Sequence, residues 1–245
     1  MAQDFYDQLW DQAWTAQQAV GPLTHNRYRL VLAELDGLES PGRVLDAGCG
    51  SGTLLSLLGA RWPDAELHGI ELSESAVAAA SPALQERIVQ GDLMNVARGH
   101  EAGSFDLIVC SEVLEHLEEP GEALDVLVGL LRIGGTAVLT VPGGMRHWTR
   151  QDDLAGHIQR FEYPAFELLA RDAGLEVVSY YGWGGPLSAT YYGLASRQDP
   201  DDLASSASSP LVSFVGKLLP RLFRLDDAFS GPGRPQLVLR GRRWR

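Results

Sequence analysis

The stretch VLDAGCGSG at residues 44–52 constrains the fold more than any other part of the chain. An apolar run ends at Asp46, and glycines follow at positions 48, 50 and 52. Glycine adopts backbone angles that other residues avoid, and it lets a ligand approach the backbone closely. A helix that begins behind such a turn presents bare N–H groups to the ligand. The stretch therefore predicts a strand ending at Asp46, a ligand-binding turn, and a helix starting near Thr53.

Strand-like and helix-like stretches alternate after this turn. The apolar segments RVLDAG, AELHGIEL, FDLIVCSE and GTAVLTVP are among those separated by helical patterns of about ten to fifteen residues. This alternation is typical of an α/β fold in which helices cover both faces of a mostly parallel sheet. Ligands in such folds bind beyond the carboxyl ends of the strands, where the strand order reverses. The pattern predicts a Rossmann-like sheet with its site at the end of the first strand.

The chain divides into three parts. Residues 1–40 carry two helical patterns, at 3–20 and 23–38, and are expected to form an N-terminal helical cap. Residues 41–186 and 234–245 are expected to form the sheet domain. Residues 187–233 are an insertion before the last strand, where a short hairpin would suffice. An insertion of this size at a sheet edge is typical of a lid or a substrate-recognition element.

The insertion contains one loop-like and one helix-like stretch. Residues 196–210 are rich in Ser, Asp and Pro and indicate a solvated loop. Residues 211–225 place apolar side chains at helical spacing and basic side chains on a second face, and Pro220 is expected to kink or divide the helix. Such a helix packs on the core, caps an apolar acceptor, or makes a peripheral membrane contact. Packing or capping is favoured.

Two acids follow the next strands at spacings that suit a nucleoside. Glu71 closes the second strand-like stretch, about 20 residues past Gly52, where an acid accepts both ribose hydroxyls in nucleotide-binding folds. A carboxylate only accepts hydrogen bonds, which suits a diol that donates two. Asp92, after the third strand, is placed to accept from the exocyclic amine of an adenine. Either acid alone is explained as a helix cap, but the ordered set favours a nucleoside-containing ligand.

Charge and composition exclude several classes of protein. The net charge is −12, but residues 217–245 carry +6, so the first 216 residues carry −18. Such a body repels a phosphate backbone, so DNA is excluded as a partner and RNA is disfavoured. No apolar run has the length of a membrane span, and we expect a cytoplasmic protein. Cys49 and Cys110 alone make neither a disulfide framework nor a zinc quartet.

These motifs together resemble those of the class I S-adenosylmethionine-dependent methyltransferases, in particular the small bacterial ones. VLDAGCGSG resembles their first motif, GIELSES their ribose-binding acid, GDL their adenine contact, FDLIVCSEVLEHLEEP their fourth-strand motif, and LLRIGGTAVLTVP the turn into their fifth strand. The resemblance covers most of residues 40–185. It implies a seven-stranded sheet whose last strand, PQLVLRGR, is antiparallel. A dinucleotide dehydrogenase is a weaker alternative, because GCGSG is G-x-G-x-G rather than G-x-G-x-x-G.

The resemblance also implies S-adenosylmethionine as methyl donor, S-adenosylhomocysteine as product, and the residues that bind them. Ser111 is expected near the methionine moiety, and Tyr6, Trp10 or Tyr28 is expected to cover the cofactor. The expected cofactor-binding residues are Asp46, Gly48, Cys49, Gly50, Glu71, Leu72, Asp92, Leu93, Ser111 and Tyr6.

The segment SEVLEHLEEP supplies ionisable groups where the acceptor is expected. A helix starting here would place Glu112, Glu115 and His116 on one face, and two carboxylates beside an imidazole are expected to raise its pKa. Three hypotheses stay open: a metal-free general base at His116 or His157, a divalent metal with His157 as a further ligand, or a solvated acidic helix start. The metal-free role is favoured, so no metal ligand is assigned. The predicted catalytic residues are His116, His157, Glu112 and Glu115, with His147 as a further candidate base.

The function expected from the sequence is methyl transfer to a hydroxyl or amine of a small molecule, such as a sugar, a quinone, a lipid-linked intermediate or a natural product. Two alternatives stay open. A Glu-Glu-His-His metal site resembles that of RNA ribose methyltransferases, and a cofactor-binding protein without turnover would act as a binding partner. The sequence does not specify an oligomeric state.

Overall fold

The computed structural model of the chain describes residues 21–195 and 218–245. The predicted features that fall outside these ranges are the helix at 3–20 with Tyr6 and Trp10, the loop at 196–210, and the first part of the helix at 211–225.

Seven strands form one mixed sheet. They are β1 (Arg43–Ala47), β2 (Glu66–Glu71), β3 (Ile88–Gln90), β4 (Phe105–Ser111), β5 (Leu131–Pro142), β6 (Leu175–Trp183) and β7 (Gln236–Arg243). Their order across the sheet is β3-β2-β1-β4-β5-β7-β6. Strands β1 to β5 pair in parallel, and β7 is antiparallel to both β5 and β6. The predicted Rossmann-like fold with an antiparallel last strand is confirmed.

Helices connect the strands. The α-helices are α1 (Pro22–Glu34), α2 (Thr53–Arg61), α3 (Glu74–Ala79), α4 (Pro82–Gln85), α5 (Leu93–Ala97), α6 (Pro120–Leu130), α7 (Arg150–Ala155), α8 (Tyr163–Asp172) and α9 (Pro186–Ala195). Within residues 21–195 and 218–245, 3₁₀ helices cover Leu114–His116, Met145–His147 and Phe223–Phe229. The predicted helix at 23–38 is α1, which ends earlier, at Glu34. The helix start predicted near Thr53 is confirmed.

Apolar side chains on the two faces of the sheet belong to separate core clusters. Leu45 and Ile108 pack with α6 and α8, and the neighbouring Val44 and Leu107 pack with α1 and α2. Successive strand residues point to opposite faces, so strands buried on both sides must be apolar throughout. Because helices cover both faces of the sheet, the carboxyl ends of its strands are where a ligand can reach it.

The described parts of the insertion are tied to the sheet domain by two neighbouring aspartates. Asp226 is buried and accepts hydrogen bonds from the backbone N–H groups of Leu187 and Ser188, at 3.2 and 2.7 Å, which caps the start of α9. Asp227 accepts from both Arg29 of α1, at 2.7 and 2.9 Å, and the Trp183 indole, at 2.8 Å. The segment from 223 to 229 therefore fixes α9 against the sheet domain.

The amphipathic pattern predicted at 211–225 is described only from residue 218. Residues 218–222 are helical, and a 3₁₀ helix begins at Phe223. The kink expected at Pro220 stays a prediction, because the segment before residue 218 lies outside the described residues. Phe223 is buried in a core cluster with Leu30 and Trp183, so this end of the segment packs on the core. Within the described part of the chain, no helix is both long and apolar enough to span a membrane.

Removal of the Asp226 carboxylate leaves two N–H groups at the start of α9 without their acceptor. We expect Asp226→Ala to lower the free energy of unfolding by about 1 to 3 kcal/mol. The control is Asp36→Ala, because Asp36 is 73% exposed and pairs with Arg61 at the surface, where the expected change is within about 0.5 kcal/mol. Urea unfolding measures both, and equal effects would contradict the capping role.

Candidate active site

The glycine turn after β1 has a conformation that other residues would not adopt without strain. Gly48, Gly50 and Gly52 all have positive φ angles, of 76°, 56° and 75°. A Cβ atom on Gly48 would lie 2.3 Å from the Val113 side chain, so a larger residue does not fit. The N–H groups of Gly48 and Cys49 donate to the Ile70 carbonyl at 2.8 and 3.0 Å. The end of β2 therefore holds the turn against the sheet.

Glu71, at the end of β2, joins the turn to the next loop. Its Oε2 accepts from the Gly50 N–H at 2.8 Å, and its Oε1 accepts from the Ser73 N–H at 2.9 Å. The buried Asp46 carboxylate has one oxygen, Oδ2, without a hydrogen-bond partner among the described residues. Burial and the nearby Glu71 raise the pKa of Asp46 to about 7. Asp46 therefore keeps its proton up to about neutral pH in the ligand-free protein.

A cavity of about 600 Å³ opens at the carboxyl ends of β1, β2, β4 and β5. This volume is within the range of small-molecule sites. Nine predicted site residues line it: Gly48, Glu71, Leu72, Asp92, Leu93, Ser111, Glu112, His116 and His157. Four others do not line it: Asp46, Cys49, Gly50 and Glu115. Tyr28 is packed in the core instead, and the predicted contact of Tyr6 lies outside the described residues.

Asp92 has two roles in the structure. Its Oδ1 accepts from the Asn95 N–H at 3.0 Å, so it caps α5, and the residue also lines the cavity. The sequence suggested that Asp92 either caps a helix or faces a ligand. The structure allows both roles at this position.

The expectation of a helix that carries Glu112, Glu115 and His116 on one face is wrong. Glu112 has a positive φ of 57°, which breaks the chain direction, and only a three-residue 3₁₀ helix follows, from Leu114 to His116. Glu112 lines the cavity, whereas Glu115 is fully buried. A non-glycine residue with this φ angle is strained and persists only where its surroundings hold it.

Residues distant in sequence hold the Glu112 carboxylate. Its Oε1 accepts from the Thr140 hydroxyl at 3.1 Å and from the Gln236 side chain at 2.9 Å, and its Oε2 lies 3.8 Å from the Arg27 guanidinium. The Ser111 hydroxyl lies 2.9 Å from that of Thr140. Sequence reasoning missed Gln236 and Arg27, and only the position of β7 beside β5 would have placed Gln236 here.

A second network orients the two histidines. His157 Nδ1 lies 2.8 Å from Asp152 Oδ1, and the Asp152 carboxylate also accepts from Arg160 Nε at 2.7 Å and Nη2 at 3.0 Å. Burial alone would raise the pKa of Asp152, but hydrogen bonds from His157 and Arg160 hold it well below its usual range. Tyr192 of α9 joins this network, 3.3 Å from Arg160. Asp152 and Arg160 were not predicted as site residues.

The expected rise in the pKa of His116 is also wrong. Burial, together with the nearby His157, lowers the pKa of His116 to about 4. Burial and the charge of Glu112 raise the pKa of Glu115 well above its usual value. Desolvation disfavours the charged form of each group and outweighs the attraction that the sequence suggested. His147 also lines the cavity, where its Nε2 lies 3.0 Å from the Gly233 carbonyl oxygen.

The sequence is similar to those of known enzymes. The model of a family described as a methyltransferase domain matches residues 22–180. A trans-aconitate 2-methyltransferase from Mycobacterium sp. (strain KMS) is 35% identical over 107 residues, which cover 44% of this chain and 41% of that protein. A ubiquinone biosynthesis O-methyltransferase from Cupriavidus pinatubonensis is 28% identical over 211 residues, 77% of this chain and 82% of that protein. The chain spans about two fifths of the length of several curated relatives that it matches.

The fold is similar to that of solved structures. A phosphoethanolamine N-methyltransferase of Haemonchus contortus, solved in complex with S-adenosyl-L-methionine, superposes with a TM-score of 0.66 at 14% identity. The match covers 100% of this chain and 60% of that one. At this level of identity the likeness concerns the fold alone.

The raised pKa of Asp46 predicts how stability depends on pH in the ligand-free protein. The stability that protonated Asp46 contributes is full below about pH 4 and is lost as the pH rises through about 7. Asp46→Asn removes this titration, so the variant is expected to gain stability relative to the wild type between about pH 5 and about pH 8. Urea unfolding at about pH 5 and about pH 8 measures this gain in the free energy of unfolding. Asp64→Asn, at an exposed position, is the control, and a pH-independent difference between wild type and Asp46→Asn would contradict the account.

Proposed function

Because the chain belongs to the methyltransferase-domain family and has the fold of the class I S-adenosylmethionine-dependent methyltransferases, we propose that it transfers a methyl group from S-adenosylmethionine to a hydroxyl or amine of a small molecule. The observation that carries the proposal is the single cavity that Gly48, Glu71 and Asp92 line together with His116 and His157. The groups proposed to bind the cofactor and to accept the proton thus line the same cavity.

The residues on the β1–β2 side fit the cofactor. Gly48 exposes backbone to the cavity, and Glu71 and Asp92 offer carboxylate oxygens where hydroxyl and amine groups of a nucleoside would donate. The unpartnered Oδ2 of Asp46 lies behind the turn, where its charge would stabilise the ammonium group. When bound, S-adenosylmethionine supplies a methyl group already activated by its sulfonium. Binding and alignment are therefore the main tasks of these residues.

The residues on the other side fit an acceptor with an apolar or aromatic body. Trp148, Trp183, Tyr192 and Leu117 line the cavity there, beside Arg27 and the two histidines. Aromatic walls bury the body of a small molecule, and the few polar groups orient its reacting atom. The relative from Cupriavidus pinatubonensis is an O-methyltransferase, which supports oxygen as that atom.

The proposed reaction is a direct displacement. The acceptor oxygen forms a bond to the methyl carbon while the carbon–sulfur bond breaks, and its electron pair stays on sulfur. The acceptor proton leaves toward the group formed by Glu115, His116 and His157. Arg160 and Asp152 keep His157 oriented during this transfer.

Two assays test the function. Calorimetry with S-adenosylhomocysteine measures cofactor binding, and transfer of a labelled methyl group to a panel of hydroxylated aromatic compounds, sugars and lipid-linked alcohols measures turnover. Binding and label transfer to an acceptor of this kind support the proposal. Binding without transfer to any acceptor in the panel would instead support a cofactor-binding protein without turnover.

Loss of the Glu71 carboxylate removes an acceptor at the cavity wall and the link to Gly50. We expect Glu71→Ala to weaken S-adenosylhomocysteine binding by about 1 to 3 kcal/mol, measured by calorimetry. Glu66→Ala is the matched control, because Glu66 begins the same strand, is exposed, and does not line the cavity. Wild-type affinity in Glu71→Ala would remove the ribose assignment.

The insertion is proposed to act as a lid that shapes the acceptor side. Tyr192 of α9 lies 3.0 Å from the Thr149 hydroxyl as well as near Arg160, so it joins the insertion to the histidine network. We expect Tyr192→Ala to lower turnover by about tenfold or more, as loss of acceptor positioning would, while cofactor affinity is kept. Leu194→Ala, at an exposed position of the same helix, is the control. Loss of cofactor binding in a folded Tyr192→Ala protein would contradict the lid.

A further inference from the structure

Glu115 is a fully buried acid beside the cavity, and no described residue donates a hydrogen bond to its carboxylate. Its Oε1 lies 3.7 Å from His157 Nε2, beyond hydrogen-bond distance. A buried carboxyl group without partners is costly, and native proteins seldom keep one without a reason.

The two nearby histidines are oriented by hydrogen bonds through their other ring nitrogens. His157 Nδ1 faces an Asp152 oxygen at 2.8 Å, and His116 Nδ1 faces the Gly156 carbonyl oxygen at 3.2 Å. Both oxygens only accept, so each ring donates from Nδ1 and carries its lone pair on Nε2. Metal-binding histidines characteristically donate their other N–H to a carboxylate or a backbone carbonyl.

We propose that Glu115, His116 and His157 bind one divalent transition-metal ion at the acceptor side of the cavity. One donor atom from each residue lies within 4.8 Å of the others. Metal–ligand bonds of about 2.0 to 2.2 Å place two ligands of one ion about 3 to 4 Å apart, so small side-chain rotations bring the three together. Two imidazoles with one carboxylate suit manganese, iron, cobalt, nickel or zinc better than magnesium or calcium.

The exposure of the three residues indicates where the ion would act. His116 and His157 line the cavity, while Glu115 lies behind them, so the remaining coordination positions face the acceptor. Three protein ligands with open positions are typical of catalytic rather than structural metal sites. An acceptor hydroxyl held at the ion would be oriented there and would lose its proton more easily. With the ion bound, Glu115, His116 and His157 would act as ligands, so the proton would pass to the Glu112 carboxylate, which lines the same cavity. This catalytic role rests on the proposed methyl transfer, but metal binding itself does not.

The test is metal binding by the full chain after treatment with a chelator. Cobalt(II) titration followed by visible absorption, and calorimetry with manganese or zinc, should give one ion per wild-type chain. Glu115→Gln and His157→Ala should each weaken binding by at least about 10- to 100-fold. His147→Ala is the matched control, because His147 lines the same cavity outside the group and its variant should bind as the wild type does.

A positioning variant and thermal melting complete the test. Asp152→Asn should weaken metal affinity by about 10- to 100-fold, because it removes the charge that orients His157. Thermal melting shows which variants are folded. The proposal is tested by the metal affinity of the folded variants and by the number of ions bound per wild-type chain. A wild type that binds no ion, or folded variants that bind it equally well, would overturn the proposal.

The same preparations separate this inference from the proposed function. Methyl transfer at the full rate by the metal-free protein would overturn the catalytic role of the ion and leave the proposed function standing, whereas the binding titrations decide the metal site itself. Metal binding that depends on Glu115 and His157, without any binding of S-adenosylhomocysteine, would support the metal site and contradict the proposed function.

Discussion

The hydrogen bonds between the end of β2 and the glycine turn are the constraint on which the cavity depends. Glu71 holds Gly50 through its carboxylate, and the Ile70 carbonyl holds Gly48 and Cys49. The side chain of Val113, after β4, lies where a Cβ of Gly48 would be. Three strands thus meet at one turn with no room for a side chain. Because no side chain projects from the glycines of this turn, the space at the ends of the strands stays free as the cavity.

The side of the cavity proposed to bind the acceptor depends on contacts between segments that are far apart in sequence. Thr140 and Gln236 hold Glu112 in a strained backbone conformation. Asp152, tied to Arg160, orients His157, and Tyr192 attaches the insertion to the same network. The strain and the buried charges both lie beside the cavity, where function accounts for such costs.

Local signals predicted the parallel part of the sheet, the glycine turn and the positions of Glu71 and Asp92, whereas the antiparallel last strand was expected only from the resemblance to the methyltransferase family. Apolar strands, glycine turns and acids at strand ends can be recognised from short stretches of sequence. The helix predicted at Glu112 was wrong because the partners of its carboxylate come from β5 and β7. The pKa of His116 falls to about 4 rather than rising because burial outweighs the nearby acids, and burial depends on the whole fold. Asp152 was missed because its capping box with Thr149 indicates only a helix start.

The most direct test of the account is a crystal structure of the chain with S-adenosylhomocysteine. The account predicts that the ribose hydroxyls lie within hydrogen-bond distance of Glu71, that the adenine lies beside Asp92, and that the sulfur faces His116 and His157 across the cavity. A ligand bound elsewhere, or a ribose without contact to Glu71, would contradict it.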